Sequence, residues 1–392
     1  MPHTLLSWTI SLFLLSGCIS LSGKDPSAKV ISIDPQNHRN ISIVYSHNRS
    51  LELLPCGCSF NPVGGLDREV NLLRQWQKDN KESTFLMLSG GTTFTPKILS
   101  DELKQEYPKR AAVMAEALNQ LGIHAFSPSA DDLRLGKEYV DKIRETTKFP
   151  WVNANILHEG KPYFDPYAVI EVGEARVVII GMSSLPLEEI AKGFEVVHPD
   201  KVLPKILQEI KTKVSGEPLI VLSSSVREFV TKALLSKYPE INVVAGQHLD
   251  DLGDELEQFS SRTVFVRPPS KGQKIARIDI PIQQNYKKLF SNFAPGARIN
   301  GVGYWEKQQK KLEEEAKHLT GEDKKAMEQR LAAVKLEISS RRTIEEAPSE
   351  ETTKIELTIA EVDQNLTKPE NEMTAIVKRY KTLVDGNGTT TH

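Results

Sequence analysis

An α/β fold is predicted by two features of the chain. Between residues 41 and 245 short apolar runs alternate with amphipathic stretches of helical period, and most of the runs are apolar at successive positions rather than at every second one. Strands of that kind are buried on both faces, which calls for a mostly parallel sheet covered by helices. At 392 residues the chain can bury a large core without disulfide stapling. Its 50 Lys and Arg against 52 Asp and Glu leave no field that would gather a polyanion, so nucleic acid is excluded as a partner on charge grounds.

The chain opens on an apolar run over residues 5–15 that is short for a membrane span and ends in small residues, which reads as an export signal over 1–17. Leu15-Ser16-Gly17-Cys18 resembles the bacterial lipobox. That resemblance implies cleavage before Cys18, diacylation of Cys18, and a mature protein held at a membrane of the cell envelope by its acyl chains. An ordinary signal peptide and an apolar N-terminal helix are the other readings. The polar stretch up to residue 39 reads as a tether.

Strand patterns follow at 41–45, 84–89, 151–156, 167–172, 175–182, 219–223 and 241–245, with helical patterns between them at 67–77, 110–121, 137–146, 201–214 and 226–237. Residues 263–267 and 274–282 close this region as β structure, and the main domain is set at 40–284. Residues 303–345 are rich in Glu, Lys, Gln and Ala, and Thr320-Gly321-Glu322-Asp323 breaks them into a helical hairpin or short coiled coil. Its stripe of Leu319, Met327, Leu331, Val334 and Ile338 leaves docking on the main domain, self-association or contact with an envelope protein open. A strand and a helix complete the chain over 346–392.

The densest chemical signal is Pro55-Cys56-Gly57-Cys58, followed by Pro62 and Gly64-Gly65-Leu66, between the first strand and first helix of the main domain. Prolines and paired glycines make a constrained loop with close backbone approach, and loops so placed carry function. In an oxidising envelope Cys56 and Cys58 could pair in a small strained ring and exchange with other thiols. They could also serve as a structural clip over a cleft. Binding of a soft metal is the third reading, although no other cysteine remains in the folded chain to complete a thiolate shell.

The order of motifs between 41 and 280 resembles the calcineurin-like metallophosphoesterases, in particular their 5'-nucleotidase and UDP-sugar hydrolase branch. Gly64-Gly65-Leu66 is similar to the family's Gly-Gly-Leu/Ile segment, and Leu86-Met-Leu-Ser-Gly-Gly-Thr-Thr-Phe94 to Leu-Leu-Leu-Asp-Ala-Gly-Asp-Thr-Phe. Leu121-Gly-Ile-His-Ala-Phe126, Val152-Asn-Ala-Asn-Ile156, Ile241-Asn-Val-Val-Ala-Gly246 and the hairpin 268–279 resemble further landmarks. The resemblance implies a metallophosphoesterase-like four-layer α/β/β/α sandwich, here with a C-terminal helical hairpin and a small strand-helix tail.

It also implies a two-metal site at the strand ends, where two cations about 3.5–4 Å apart activate water and hold a phosphoryl oxygen. The ligands of that site are not matched. Ser46-His47-Asn48 stands for Asp-x-His, Gly91-Thr92 for Gly-Asp, and Ala130-Asp131-Asp132 for Asn-His-Glu/Asp. Ser224 stands for a later His, and Gly246-Gln247-His248-Leu249 for Gly-His-x-His. A hydroxyl cannot replace a bridging carboxylate, so the expectation is a vestigial cleft lined by His47, Thr92, Asp131, Asp132, Ser224, Gln247 and His248, with no cofactor. The expected function is binding or assembly at the cell envelope. Two alternatives stand beside it. One is a metal-dependent phosphoesterase in which His47, Asp131, Asp132 and His248 hold one Zn or Mn. The other is a thiol-disulfide oxidoreductase using Cys56 and Cys58.

Overall fold

The computed structural model describes residues 28–56, 62–186, 190–246, 256–291, 302–344 and 352–385. Along the chain these form β1 (Lys29–Ile33), β2 (Asn40–His47), β3 (Pro55–Cys56), β4 (Val63–Gly64), α1 (Leu66–Asp79), β5 (Ser83–Gly90), α2 (Tyr107–Leu121), β6 (Ile123–Ser127) and α3 (Lys137–Thr146). Next come β7 (Ile156–His158), β8 (Lys161–Pro162), β9 (Tyr167–Val172), β10 (Ala175–Met182), β11 (Phe194–Val196), α4 (Leu203–Lys213), β12 (Leu219–Ser224), α5 (Glu228–Lys237), β13 (Val243–Gly246), β14 (Leu256–Gln258) and β15 (Val264–Val266). The chain continues through β16 (Lys274–Pro281), β17 (Lys288–Ser291), α6 (Val302–Ala316), α7 (Gly321–Ile344), β18 (Thr352–Glu361) and α8 (Glu372–Asp385).

Two large sheets face each other, one ordered β17-β18-β16-β2-β5-β6 and the other β1-β9-β10-β12-β13-β15-β14. Alternation along β2 explains the layering: Ile41, Ile43 and Tyr45 point into the core between the sheets, whereas Val44 points to the helices outside. Helices α1, α2, α3 and α8 cover one outer face through residues such as Leu73, Met114, Val140 and Ile376. Helices α4 and α5 cover the other through Ile206, Ile210 and Leu234. This is the four-layer sandwich the sequence pointed to. Most neighbouring strands pair in parallel, as expected, but both sheets are mixed, because β16 runs antiparallel to β2 and β18, β9 to β10, and β14 to β15.

Three sequence expectations are corrected. Residues 29–33 are not tether: β1 pairs with β9 in parallel register from Lys29 with Ala168 to Ile33 with Val172. The main domain does not close at 284, since β18 pairs with β16 on one side and β17 on the other, and α8 packs beside α1 and α2. The run 151–156 is not one strand; Trp151 and Val152 make isolated bridges, and β7 begins at Ile156. The helical hairpin forms as expected, and α7 packs on α5 with Leu336 against the core beneath.

Where β5 meets β6 the register slips, so that Met87 faces Ile123 and Leu88 faces Ala125. His124 is the extra residue, and its Nδ1 accepts the Met87 N–H at 3.0 Å, satisfying a donor at the irregularity. Desolvation lowers the ring's pKa to about 4, against the backbone hydrogen bond, so the fold needs it neutral. The unfolded chain protonates near pH 6.5 and the folded one only near 4, so this contribution is complete above 6.5 and lost as pH falls to 4. His124→Gln is expected to remove up to about 3 kcal/mol of the acid-side loss of stability. Urea unfolding of both proteins at pH 7.5 and 4 checks this, and parallel pH profiles would refute it.

Candidate functional site: the cleft at the strand ends

Strands β2, β5 and β6 run parallel, as do β10, β12 and β13, and the C-terminal ends of the two sets converge. The contact is close enough to exclude side chains. A Cβ on Gly90 would lie 2.5 Å from Ser223 Oγ and 2.6 Å from Tyr45 Oη, and one on Gly181 would lie 1.9 Å from the Val152 carbonyl oxygen. Ser127 Oγ bridges the sheets by donating to the Ser223 carbonyl at 3.3 Å. Polar side chains therefore gather where the strand ends pinch together.

His47, the last residue of β2, is buried. Its Nδ1 lies 2.5 Å from Tyr45 Oη, which in turn is 3.2 Å from Ser223 Oγ, while Nε2 has no hydrogen-bond partner among the described residues. Burial lowers the ring's pKa to about 3 and pushes the Tyr45 phenol up, so both are neutral at physiological pH. Asn48 follows in a left-handed conformation, φ 47, and its Oδ1 accepts the Thr92 N–H at 2.8 Å. Gly91 is required beside it: a Cβ there would be 2.0 Å from that oxygen and 2.6 Å from His47 Nε2.

Thr92 Oγ1 sits 2.8 Å from Ser129 Oγ and donates to Asp131 Oδ2 at 3.2 Å. Asp131 is partly exposed, with Arg134 Nε 4.0 Å from its other oxygen. Asp132 is buried and turned the other way, accepting from the backbone N–H groups of Phe94 at 2.8 Å, Thr93 at 3.0 Å and Ser129 at 3.3 Å. With Ser129 it forms a capping box on the 3-10 turn Ala130–Leu133. Burial raises its pKa to about 7 against those donors. Ser224 Oγ accepts the Val226 N–H at 3.0 Å, and Ser183 Oγ accepts the Ala130 N–H at 2.8 Å. Gln247 and His248 lie outside the described residues.

The structure thus brings His47, Thr92, Asp131 and Ser224 to the strand ends and assigns Asp132 to backbone capping. A dinuclear centre needs several carboxylates and imidazoles aimed at shared points. Here the hydroxyls and amides bond to one another and to loop backbone, and no three His, Cys, Asp or Glu side chains among the described residues lie close enough to hold a metal ion. The described residues do not fit the two-metal group that this fold implies.

The thiol loop is built into the same end of the molecule. Strands β3 and β4 pair, with Cys56 opposite Val63 and residues 57–62 between them in sequence. Cys56 is half-buried and receives Lys271 Nζ at 3.8 Å on its sulfur; Cys58, like Cys18, lies outside the described residues. Beneath the hairpin Arg49 Nη2 spans both carboxylate oxygens of Glu69 at 2.7 and 2.8 Å, with both side chains 1% exposed. The Gly64 N–H bonds the Val362 carbonyl, tying β4 to the end of β18, and the Lys271 N–H bonds the Asn48 carbonyl, holding the turn before β16 against the end of β2. Nearby, burial raises the Glu52 carboxyl's pKa, against the pull of Lys271 and Arg110.

Sequence reasoning missed Arg49, Glu69, Ser129 and Ser183, and read Asn48 only as an unmatched ligand position. It noticed the Asn153 and Asn155 segment only as a landmark. Asn153 Nδ2 donates to the Pro128 carbonyl at 2.9 Å, and Asn155 Nδ2 to the carbonyls of Ser183 and Val197, each at 2.8 Å. An Asn-x-Asn in an apolar run was the available signal, because a buried amide must find partners.

No family model matches the sequence, and no curated protein matches it. Solved structures do. A calcineurin-like phosphoesterase, YfkN from Bacillus subtilis, aligns at TM-score 0.58 and 12% identity over 90% of this chain and 99% of that one. NAD nucleotidase from Haemophilus influenzae aligns at 0.56 and 13% over 88% and 60%. A 5'-nucleotidase precursor from Thermus thermophilus aligns at 0.52 and 19% over 64% and 53%, so this chain spans about half of that protein's length. At such identities the likeness establishes the fold, that of the 5'-nucleotidase-like metallophosphoesterases.

Proposed function

We propose that this metallophosphoesterase-like chain is an exported protein, held at the cell envelope through lipid on Cys18, that binds or assembles there and does not hydrolyse phosphoesters. The observation that carries the reading is the closed network of Thr92, Ser129 and Asp131, with Asp132 committed to three backbone donors. A metal-bridging carboxylate is missing where Thr92 stands. The helical hairpin supplies a charged outer face for an envelope partner while α7 holds it to α5.

The test is hydrolysis of bis-p-nitrophenyl phosphate and AMP by the purified protein in Mn²⁺ and in Zn²⁺, with metal analysis. The expected result is less than one tightly held metal per chain and turnover equal to that of His47→Ala. Two metals per chain, with turnover abolished by His47→Ala, would sink the proposal in favour of a metal-dependent phosphoesterase.

A second reading rests on the Lys271 ammonium, which lies 3.8 Å from the Cys56 sulfur at the mouth of the loop. It makes the loop a thiol-disulfide exchange site. On that reading Cys58→Ser abolishes exchange with a dithiol, and Lys271→Met slows it about tenfold or less. Unchanged exchange in Cys58→Ser would remove this reading.

A further inference from the structure

Among the described residues the large apolar side chains that stand out in solvent are Val30, Ile98, Leu99 and Leu185, at 53%, 80%, 36% and 52% exposure. They come from three distant parts of the sequence and lie at one end of the molecule. Ile98 and Leu99 belong to the loop that leaves the C-terminal end of β5. Leu185 follows the C-terminal end of β10. Both loops flank the same 3-10 turn: Arg134 donates to the Pro96 carbonyl at 2.5 Å and to that of Lys97 at 3.3 Å, and the Ala130 N–H donates to Ser183 Oγ at 2.8 Å. The turn carries Asp131, so these side chains form a lip beside the cleft mouth.

Topology brings the start of β1 to the same end. Strand β9 runs antiparallel to β10, with Tyr167 opposite Ile180, and β1 runs parallel to β9, with Lys29 opposite Ala168. Strand β1 therefore starts at the end where β10 finishes, and Val30 is its second residue. The turn between β9 and β10, at Gly173 and Glu174, marks the opposite end. It is removed from the cleft by the 8 residues of β10, or about 25 Å. Ten residues, 18–27, separate Ala28 from the acyl chains placed on Cys18, and they reach at most about 35 Å.

We infer that the cleft mouth faces the lipid bilayer, with Ile98, Leu99 and Leu185 dipping into its surface, so that whatever the cleft receives is presented at or near the membrane. This rests on the lipid-anchor reading of Cys18. A leash that starts at the cleft end lets that end meet the bilayer, and exposed aliphatic side chains at the lip select that orientation by gaining free energy on leaving water there. The opposite end offers no such group among the described residues.

The experiment places tryptophan at Ile98, Leu185 or, as the far-end control, Glu174 in the full-length lipidated protein. Each is reconstituted into vesicles of phosphatidylethanolamine and phosphatidylglycerol with or without dibrominated acyl chains. The parent protein's own tryptophans supply the baseline. Expected is that bromine roughly halves the added emission of Ile98→Trp and Leu185→Trp and spares that of Glu174→Trp. Adding Leu99→Asp to Ile98→Trp should relieve the quenching. Mass spectrometry of the mature N-terminus separates the two ways of failing. An acylated protein whose Ile98→Trp and Leu185→Trp stay bright overturns this inference alone, as would quenching equal to that of Glu174→Trp. A mature chain without acyl mass at Cys18 overturns the anchor and this inference together. A lip shielded instead in a dimer, seen as doubled mass with no quenching, also overturns it.

Discussion

Gly181→Ala is expected to cost more than about 4 kcal/mol, enough to leave little soluble folded protein. Gly181 lies in β10 where the segment 151–154 crosses between the sheets, and the Ala154 N–H bonds its carbonyl at 2.8 Å. The added carbon would sit 1.9 Å from the Val152 carbonyl oxygen and 2.6 Å from Ser127 Oγ. A hydroxyl can rotate away, but a backbone carbonyl cannot when its own residue is fixed by the Val152 N–H bond to the Phe126 carbonyl at 2.8 Å, so the strand ends that build the cleft must separate. Gly122→Ala is the control. Gly122 has φ 75 but nothing within 4 Å of a Cβ, so it carries backbone strain without a clash and should lose only about 1 kcal/mol. Yield of soluble protein and urea midpoints compare the two, and a Gly181→Ala protein as stable as Gly122→Ala would show that the sheets do not pinch here.

Arg49→Met should cost about 3–5 kcal/mol, the loss expected when one partner of a buried ion pair is removed and the other stays charged in the interior. Glu69 makes both of its oxygens available to one guanidinium nitrogen, and neither side chain reaches water. The pair joins the turn after β2 to the first helix, directly under the Cys56 hairpin. Urea unfolding should show the drop. Arg49→Met with Glu69→Met is expected to recover most of the loss, because the desolvation penalty of both charges disappears with the attraction. A double variant as unstable as the single one would assign the effect to packing against Gly272, whose added Cβ would lie 2.8 Å from Arg49 Nη1.

Hydrophobic period is a local property, so most strands and helices of the sandwich were legible. Strand β1 was not, because Lys29-Val-Ile-Ser-Ile33 is short and lies next to polar sequence. Its place in the sheet depends on β9, more than a hundred residues away. Strand β18 was visible as a strand but not as a member of the main sheet, since pairing with β16 and β17 leaves no mark in its own alternation. At the cleft, the replacements at Thr92 and Ser224 were readable as lost ligands. The fate of Asp132 was not: a carboxylate beside Asp131 offers a metal ligand and a helix cap with the same residue type, and geometry chooses the cap.

The amino-acid order alone determined the α/β alternation, the landmarks shared with a metallophosphoesterase fold, and the neutral character of the groups at several strand ends, since each is written in residue types and spacing. Tertiary structure decided which of those groups bond to one another, that Arg49 and Glu69 are a buried pair, and that β1 starts at the same end of the molecule as the cleft. Those outcomes depend on strand direction and on contacts between distant segments, and the free energy that selects them exists only once the sheets have closed.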